Sequence, residues 1–191
     1  MRILLIISCF FIIMSKSDCR LNAKEIWLLD EDLSTIEFEI PVFLIKNVKG
    51  DFKEIEGFVE INSKEQIVRA FILVKIDSIN INNEKYHDLL LSNTFLNEAE
   101  FKNIFVDTIH KPISYTNDQI KEVKVRLSLN GIYGWIPYSF EIIKLAEELV
   151  QIKGELKISR TFFEIGKGQW YSTAILKEDI TIKTNLFLNK R

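Results

Sequence analysis

Cysteine is nearly absent from this sequence. Of 191 residues only Cys9 and Cys19 are cysteines, and Cys9 lies inside an apolar N-terminal run that reads as a removable leader. One remaining thiol cannot form an intrachain disulfide, so the core must hold the fold unaided even in an oxidising compartment. Histidine is as scarce. His87 and His110 are the only two, and neither has metal-ligand spacing to Cys, Asp or Glu. There is no nucleophile elbow or oxyanion-type glycine loop, and Gly166-Lys167-Gly168 is too short for a phosphate loop and reads as a turn. An excess of one charge is also missing, the net charge being −2. With no basic patch interleaved with aromatics, nucleic acid is not an expected partner. No low-complexity linker and no repeat of fixed period divides the chain, so one domain is expected after the leader.

What is present begins with that leader. Met1-Arg2 supplies one positive charge, Ile3 to Met14 is apolar, and Ser15-Lys16-Ser17 places small residues at the −3 and −1 positions of a cleavage after Ser17. The run is well short of the about 20 apolar residues that a membrane span needs. Residues 1–17 are therefore expected to be a signal peptide, and 18–191 an exported domain, periplasmic or secreted. Cleavage would remove Arg2 and Lys16 and no acid, taking the net charge from −2 to −4. Neither cysteine suits lipid attachment: Phe10-Phe11-Ile12-Ile13 still follows Cys9, and Lys16-Ser17-Asp18 precedes Cys19.

From Ile26 onward the dominant pattern is two-residue alternation. Ile36, Phe38 and Ile40 alternate with Thr35, Glu37 and Glu39; Val123, Val125, Leu127 and Leu129 alternate with Lys124, Arg126 and Ser128. Ile152, Gly154, Leu156 and Ile158, and then Ile180, Ile182, Thr184, Leu186 and Leu188, follow the same rule. Such strands have one dry and one wet face. Ile67 to Ile76 is apolar on both faces, so a cover is expected on its outer side. Asn82-Asn83 followed by Tyr86, Leu89 and Leu90 predicts a short helix over 81–92, and a turn of helix is expected in Val42 to Phe52 after Pro41. Turns are expected at Asn62-Ser63, Asn117-Asp118 and Asn130-Gly131. Seven or eight strands of this kind make a sandwich or a closed barrel, and their length favours the barrel.

The order of local motifs carries the reading further. Trp27-Leu28-Leu29-Asp30 and Ser34-Thr35-Ile36-Glu37-Phe38 precede Val48-Lys49-Gly50-Asp51-Phe52, Ile55-Glu56-Gly57 and Val74-Lys75-Ile76-Asp77-Ser78-Ile79. Then come Leu91-Ser92-Asn93-Thr94-Phe95-Leu96-Asn97, Phe101-Lys102-Asn103-Ile104-Phe105, Leu127-Ser128-Leu129-Asn130-Gly131-Ile132, Ile158-Ser159-Arg160-Thr161-Phe162-Phe163-Glu164-Ile165, Gly168-Gln169-Trp170 and Asp179-Ile180-Thr181-Ile182. Across nearly all of residues 26–188 this succession resembles the YceI-like family of bacterial polyisoprenoid-binding, lipocalin-like proteins. The resemblance implies an all-β fold: a lipocalin-like eight-stranded antiparallel β-barrel, with one or two short helices, whose long internal pocket holds an isoprenoid or acyl amphiphile. The chain departs from the family in places. Leu33 stands where the family has a histidine, Ile40-Pro41-Val42-Phe43 lacks a second one, Tyr86-His87-Asp88-Leu89-Leu90-Leu91 is shifted and altered, and Glu164 replaces a glycine. These changes bear on head-group recognition rather than on the fold.

With that resemblance, Phe38, Ile72, Val74, Val125, Leu127, Tyr138, Phe140, Leu156 and Ile182 are the expected cavity lining, and Arg160 is the candidate for a phosphate or carbonyl head, which a guanidinium suits. Trp27 and Trp170 are expected to pack at barrel ends or strand edges. Glu37 and Glu39, about 7 Å apart at i and i+2, read as a solvated face rather than a catalytic pair. No catalytic residue, metal or cofactor is expected beyond a bound polyisoprenoid or fatty-acyl lipid. The expected partners are that lipid, a membrane met transiently and a second copy in a homodimer. The reading is a carrier, not an enzyme; its alternative is a barrel-fold interaction protein that has lost its ligand.

Overall fold

Alternating residues become strands, and the computed structural model, which describes residues 24–42, 47–81, 83–108, 112–114 and 120–191, contains twelve. They are β1 (Glu25–Leu29), β2 (Thr35–Ile40), β3 (Val48–Phe52), β4 (Ile55–Ile61), β5 (Gln66–Lys75) and β6 (Ile79–Ile81), then β7 (Asn103–Asp107), β8 (Ile113–Ser114), β9 (Lys121–Leu129), β10 (Ile132–Ala146), β11 (Leu149–Ser159) and β12 (Asp179–Lys190). Helix α1 (Glu84–Leu91) lies between β6 and β7. The leader, both cysteines, His110 and the Asn117-Asp118 turn fall outside the described residues.

The hydrogen-bonded order β1-β4-β5-β7-β9-β10-β11-β12 closes on itself because β12 also pairs with β1. Every pairing is antiparallel. The remaining strands extend this ring of eight. β1 and β2 form one stave, since Leu29 faces Leu188 and Thr35 faces Asn185 on the same β12. Between them the chain bulges outward, and the Ser34 hydroxyl stands in for the ladder by accepting from Phe187 N at 2.9 Å. β3 continues into β4, and β5 into β6 through a 3-10 turn at Ile76–Ser78. Lys53 N donates to Ser78 O and Lys75 N to Glu54 O, which keeps these two bent staves paired across the bend. Closure removes the free edges that a long open sheet would present.

The two ends of the barrel differ. The upper end carries the β4–β5 and β10–β11 hairpins, the start of β1 and the end of β12. The lower end is plugged by α1, the 92–101 segment, the β9–β10 turn and the 160–178 segment. The Asn83 side chain caps α1 by accepting from Lys85 N at 3.1 Å, as the sequence predicts. Asn130 and Gly131 adopt positive φ of 51° and 72° in the expected turn. The Asn130 amide then donates to Phe95 O (2.6 Å) and Phe163 O (3.0 Å), tying three lower segments together.

The turn of helix expected after Pro41, at the start of Val42 to Phe52, falls on residues 43–46, outside the described residues; Val48–Phe52 is strand, Phe52 and Gly50 pairing with Ile36 and Phe38 on β2. One expectation is corrected. Among the described residues, no other element covers the outer face of β5. Phe71 and Leu73 are half-buried beside Phe58 and Phe105 on the same wall, with ring centroids 5.9 Å (Phe58–Phe71) and 6.2 Å (Phe71–Phe105) apart. Apolar rings in a row shield one another without a lid.

Candidate functional site

Inward-facing side chains leave two chambers along the barrel axis. The upper, of about 90 Å³, is lined by seventeen side chains from all parts of the wall, none of them charged. Ile72, Val125, Tyr138, Phe140 and Leu156 are among them, together with Thr108 and Thr184. The lower, of about 50 Å³, includes Phe38 and Ile182 with Ile104, Leu129, Ile158 and Ile180. Along β9, Val125 lines the upper chamber and Leu129 the lower, so the buried Leu127 stands between them. Val74 follows Ile72 on β5 in the same way, is buried and lines neither. The nine expected lining positions thus all lie in the barrel interior, but large side chains at mid-height divide it where one continuous tube was expected.

Few polar atoms enter the upper chamber, and these are paired. Tyr138 Oη lies 2.7 Å from Thr184 Oγ1, and Thr184 donates onward to Gly154 O at 3.4 Å. Burial pushes the Tyr138 hydroxyl up to about 12 despite the Thr184 bond, so it stays a neutral donor across the working pH range. Its ring stacks on Phe140, centroids 5.1 Å apart and planes 11° from parallel. It also lies flat over Gly154, where a Cβ would come within 2.3 Å of the phenol oxygen. Thr108 Oγ1 accepts from Ala70 N at 2.7 Å.

Arg160 corrects its sequence assignment. The side chain is 0% exposed and lines neither chamber. Its Nε donates to Lys177 O (2.9 Å) and Leu176 O (3.3 Å), Nη1 to Ile165 O (3.1 Å), and Nη2 to Tyr171 O (2.7 Å) and Leu176 O (3.0 Å). All three nitrogens donate to backbone carbonyls of the lower plug, four in all, and the buried group faces neither chamber where a ligand's head could sit. Burial lowers the guanidinium pKa from its ordinary value, yet the group remains a cation at any physiological pH. Beside it, Glu178 accepts from the Ser159 and Thr161 hydroxyls.

Of the departures from the family pattern, Leu33 and Glu164 line neither chamber, whereas Ile40 and Leu90 line the lower one and Phe43 lies outside the described residues. Leu33, at the position of the family's histidine, lies on the outer bulge and is 51% exposed. Glu164 adopts φ 55°, a left-handed conformation that favours glycine, so a glycine at this point of the family pattern has a backbone reason. The half-buried His87 places its ring Nδ1 3.3 Å from the carboxylate of its exposed neighbour Asp88. Trp170 packs edge-on to Phe95 at the lower plug. Glu37 and Glu39 face an outer crevice with Lys49, Asp51, Asn80 and Lys183. Hydrogen bonds from Asn47 and Lys49 hold the Glu39 carboxyl below its ordinary value, which suits a solvated ion pair rather than an acid catalyst. Among the described residues no group of His, Cys, Asp and Glu gathers as a metal site.

Comparison with known proteins matches the chain to the YceI-like domain over residues 27–188. No curated protein matches the sequence. Solved structures share the fold at low identity. Burkholderia cenocepacia BcnA superposes with a TM-score of 0.73 at 17% identity, covering 83% of this chain and 98% of its own. A polyisoprenoid binding domain from Saccharophagus degradans, implicated in plant cell wall breakdown, gives 0.69 at 14% identity, covering 86% and 98%. The Campylobacter jejuni YceI protein gives 0.65 at 21%, covering 79% and 90%.

Proposed function

The chain belongs to the YceI-like domain family, and on that premise we propose that it is an exported carrier holding one long-chain isoprenoid or acyl amphiphile in its barrel. The observation that carries this reading is the upper chamber: fully apolar in its exposed lining, uncharged, and continuing toward a second apolar chamber below. The chemistry is desolvation. Each buried methylene contributes about 0.8 kcal/mol, so a tail of ten or more carbons supplies affinity without a specific hydrogen bond. Nothing in the lining is arranged to move a proton or attack a carbonyl, which supports binding rather than catalysis. The leader in residues 1–17 supports export to the periplasm or medium.

The chamber as it stands is smaller than the about 150 Å³ cavity known to admit benzene. A long tail therefore enters only if the Val74–Leu127 layer yields and the two chambers join. That tightness, with the exposed Phe105 beside half-buried Phe71 and Phe58 on the outer wall, favours a second reading: an interaction protein on a barrel that has lost its ligand. Thermal unfolding separates the two. A C18 or longer amphiphile at a hundredfold excess over its Kd should stabilise the protein by about 2.7 kcal/mol. That corresponds to a Tm rise of roughly 5–10 °C for a domain of this size. An eight-carbon homologue at the same concentration should have no such effect. No shift with isoprenoid, amide or phosphate amphiphiles of any length would transfer the weight to the second reading.

A further inference from the structure

Trp27 sits on β1 directly between Lys190 of β12 and Val59 of β4. The same lateral row continues through Ala70 on β5 to Thr108, which bonds to the Ala70 backbone. Val59, Ala70 and Thr108 all line the upper chamber. Trp27, the fourth member of the row, is on the same inner face and only 3% exposed. Among the described residues its indole Nε1–H finds no acceptor. Trp27 does not itself line the chamber as it stands, but it adjoins Val59, which does. Buried donors are nearly always paired, so an orphan in this row needs a reason.

The other polar groups on the chamber wall have theirs accounted for. Tyr138 and Thr184 bond to each other, and Thr108 to Ala70. At the rim, Lys190 is held by Glu25 at 2.9 Å and Lys24 by Glu60 at 2.8 Å. We propose that the Trp27 indole N–H is the polar anchor for the ligand, donating to an uncharged oxygen, a carbonyl or amide, at the head of the chain. The inference rests on the carrier reading and narrows it to one class of head. A lone neutral donor next to an uncharged chamber can satisfy a carbonyl oxygen. It leaves a buried phosphate or carboxylate without the counter-charge that would offset its lost hydration.

The test compares three probes of equal tail, octadecanamide, octadecane and octadecyl phosphate, delivered from cyclodextrin to the mature protein and to Trp27→Phe. In the wild type the amide should bind about fivefold to tenfold more tightly than the hydrocarbon, the ratio one neutral hydrogen bond supplies. Trp27→Phe should erase that ratio and leave octadecane affinity unchanged. The Trp27 indole ¹⁵N–¹H resonance of the wild type should move on adding amide and stay put with octadecane, a reading that needs no variant to fold. The inference is overturned if the preference survives in the phenylalanine variant, if both probes weaken alike, if the indole resonance ignores the amide, or if the phosphate binds most tightly. If the wild type binds none of the three, the carrier reading itself falls. If it binds all three and only the indole results fail, the carrier reading stands and this anchor does not.

Discussion

Arg160→Met should cost about 4 kcal/mol or more, placing it in the small class of substitutions that remove a buried hydrogen-bonding hub. For a domain of this size the Tm should fall by roughly 10 °C. Methionine fills much of the space but donates nothing, so the carbonyls of Ile165, Tyr171, Leu176 and Lys177 lose their shared partner. Those carbonyls belong to the segment between β11 and β12 that plugs the lower end, where Phe163 is fully buried. Arg160→Lys should rescue little, because an ammonium cannot span four acceptors with a planar fork. Urea denaturation of both variants reads the effect. A loss under 1 kcal/mol for the methionine variant would mean that the segment holds itself and the guanidinium is incidental.

Gly154→Ala should damage ligand binding as well as folding. The new methyl would sit 2.3–2.4 Å from the Tyr138 ring and oxygen, distances real atoms do not tolerate. The ring is bonded to Thr184 and stacked on Phe140, so it can give way only toward the chamber those residues line. Overpacking of this kind costs about 1–3 kcal/mol. The displaced ring takes space the tail needs, and affinity for a C18 amphiphile should fall by at least about tenfold, as two lost methylenes would do. Adding Tyr138→Leu to Gly154→Ala should restore binding, while Tyr138→Phe in the wild-type background, which keeps the ring and drops the hydroxyl, should leave tail binding intact. Unimpaired binding by Gly154→Ala would place the ligand somewhere other than the upper chamber.

Much of the wall was legible in the sequence because a strand with one dry face writes its period into the chain. Val123 to Leu129, Ile152 to Ile158 and Ile180 to Leu188 became β9, β11 and β12 with the anticipated inner faces. The cap at Asn83 and the turn at Asn130-Gly131 were legible for the same reason, a local conformation demanding a particular side chain. What depended on distant partners was not. The bulge that splits β1 from β2 is bridged by a Ser34 hydroxyl bonded 153 residues away, to Phe187. Phe71 and Leu73 looked like residues awaiting a cover, since alternation cannot distinguish a lid from neighbouring rings on the same wall. Arg160 is the sharpest case. A lone arginine flanked by Ser159 and Thr161 resembles an anion site in sequence, and only the return of residues 165–177 around it shows that backbone carbonyls are its ligands. The orphan indole of Trp27 left no sequence signal of its own, because a missing partner is a property of the packed interior.

A long apolar molecule is expected to occupy this barrel. Native mass spectrometry of the protein exported by a bacterial host and purified without detergent, with organic extraction of the same sample, tests it most directly. The expected result is a polypeptide mass beginning after Ser17, with one stoichiometric adduct that extraction releases as a prenyl or acyl lipid. A bare polypeptide mass, unchanged after incubation with long-chain amides, quinones and isoprenoid phosphates, would contradict it.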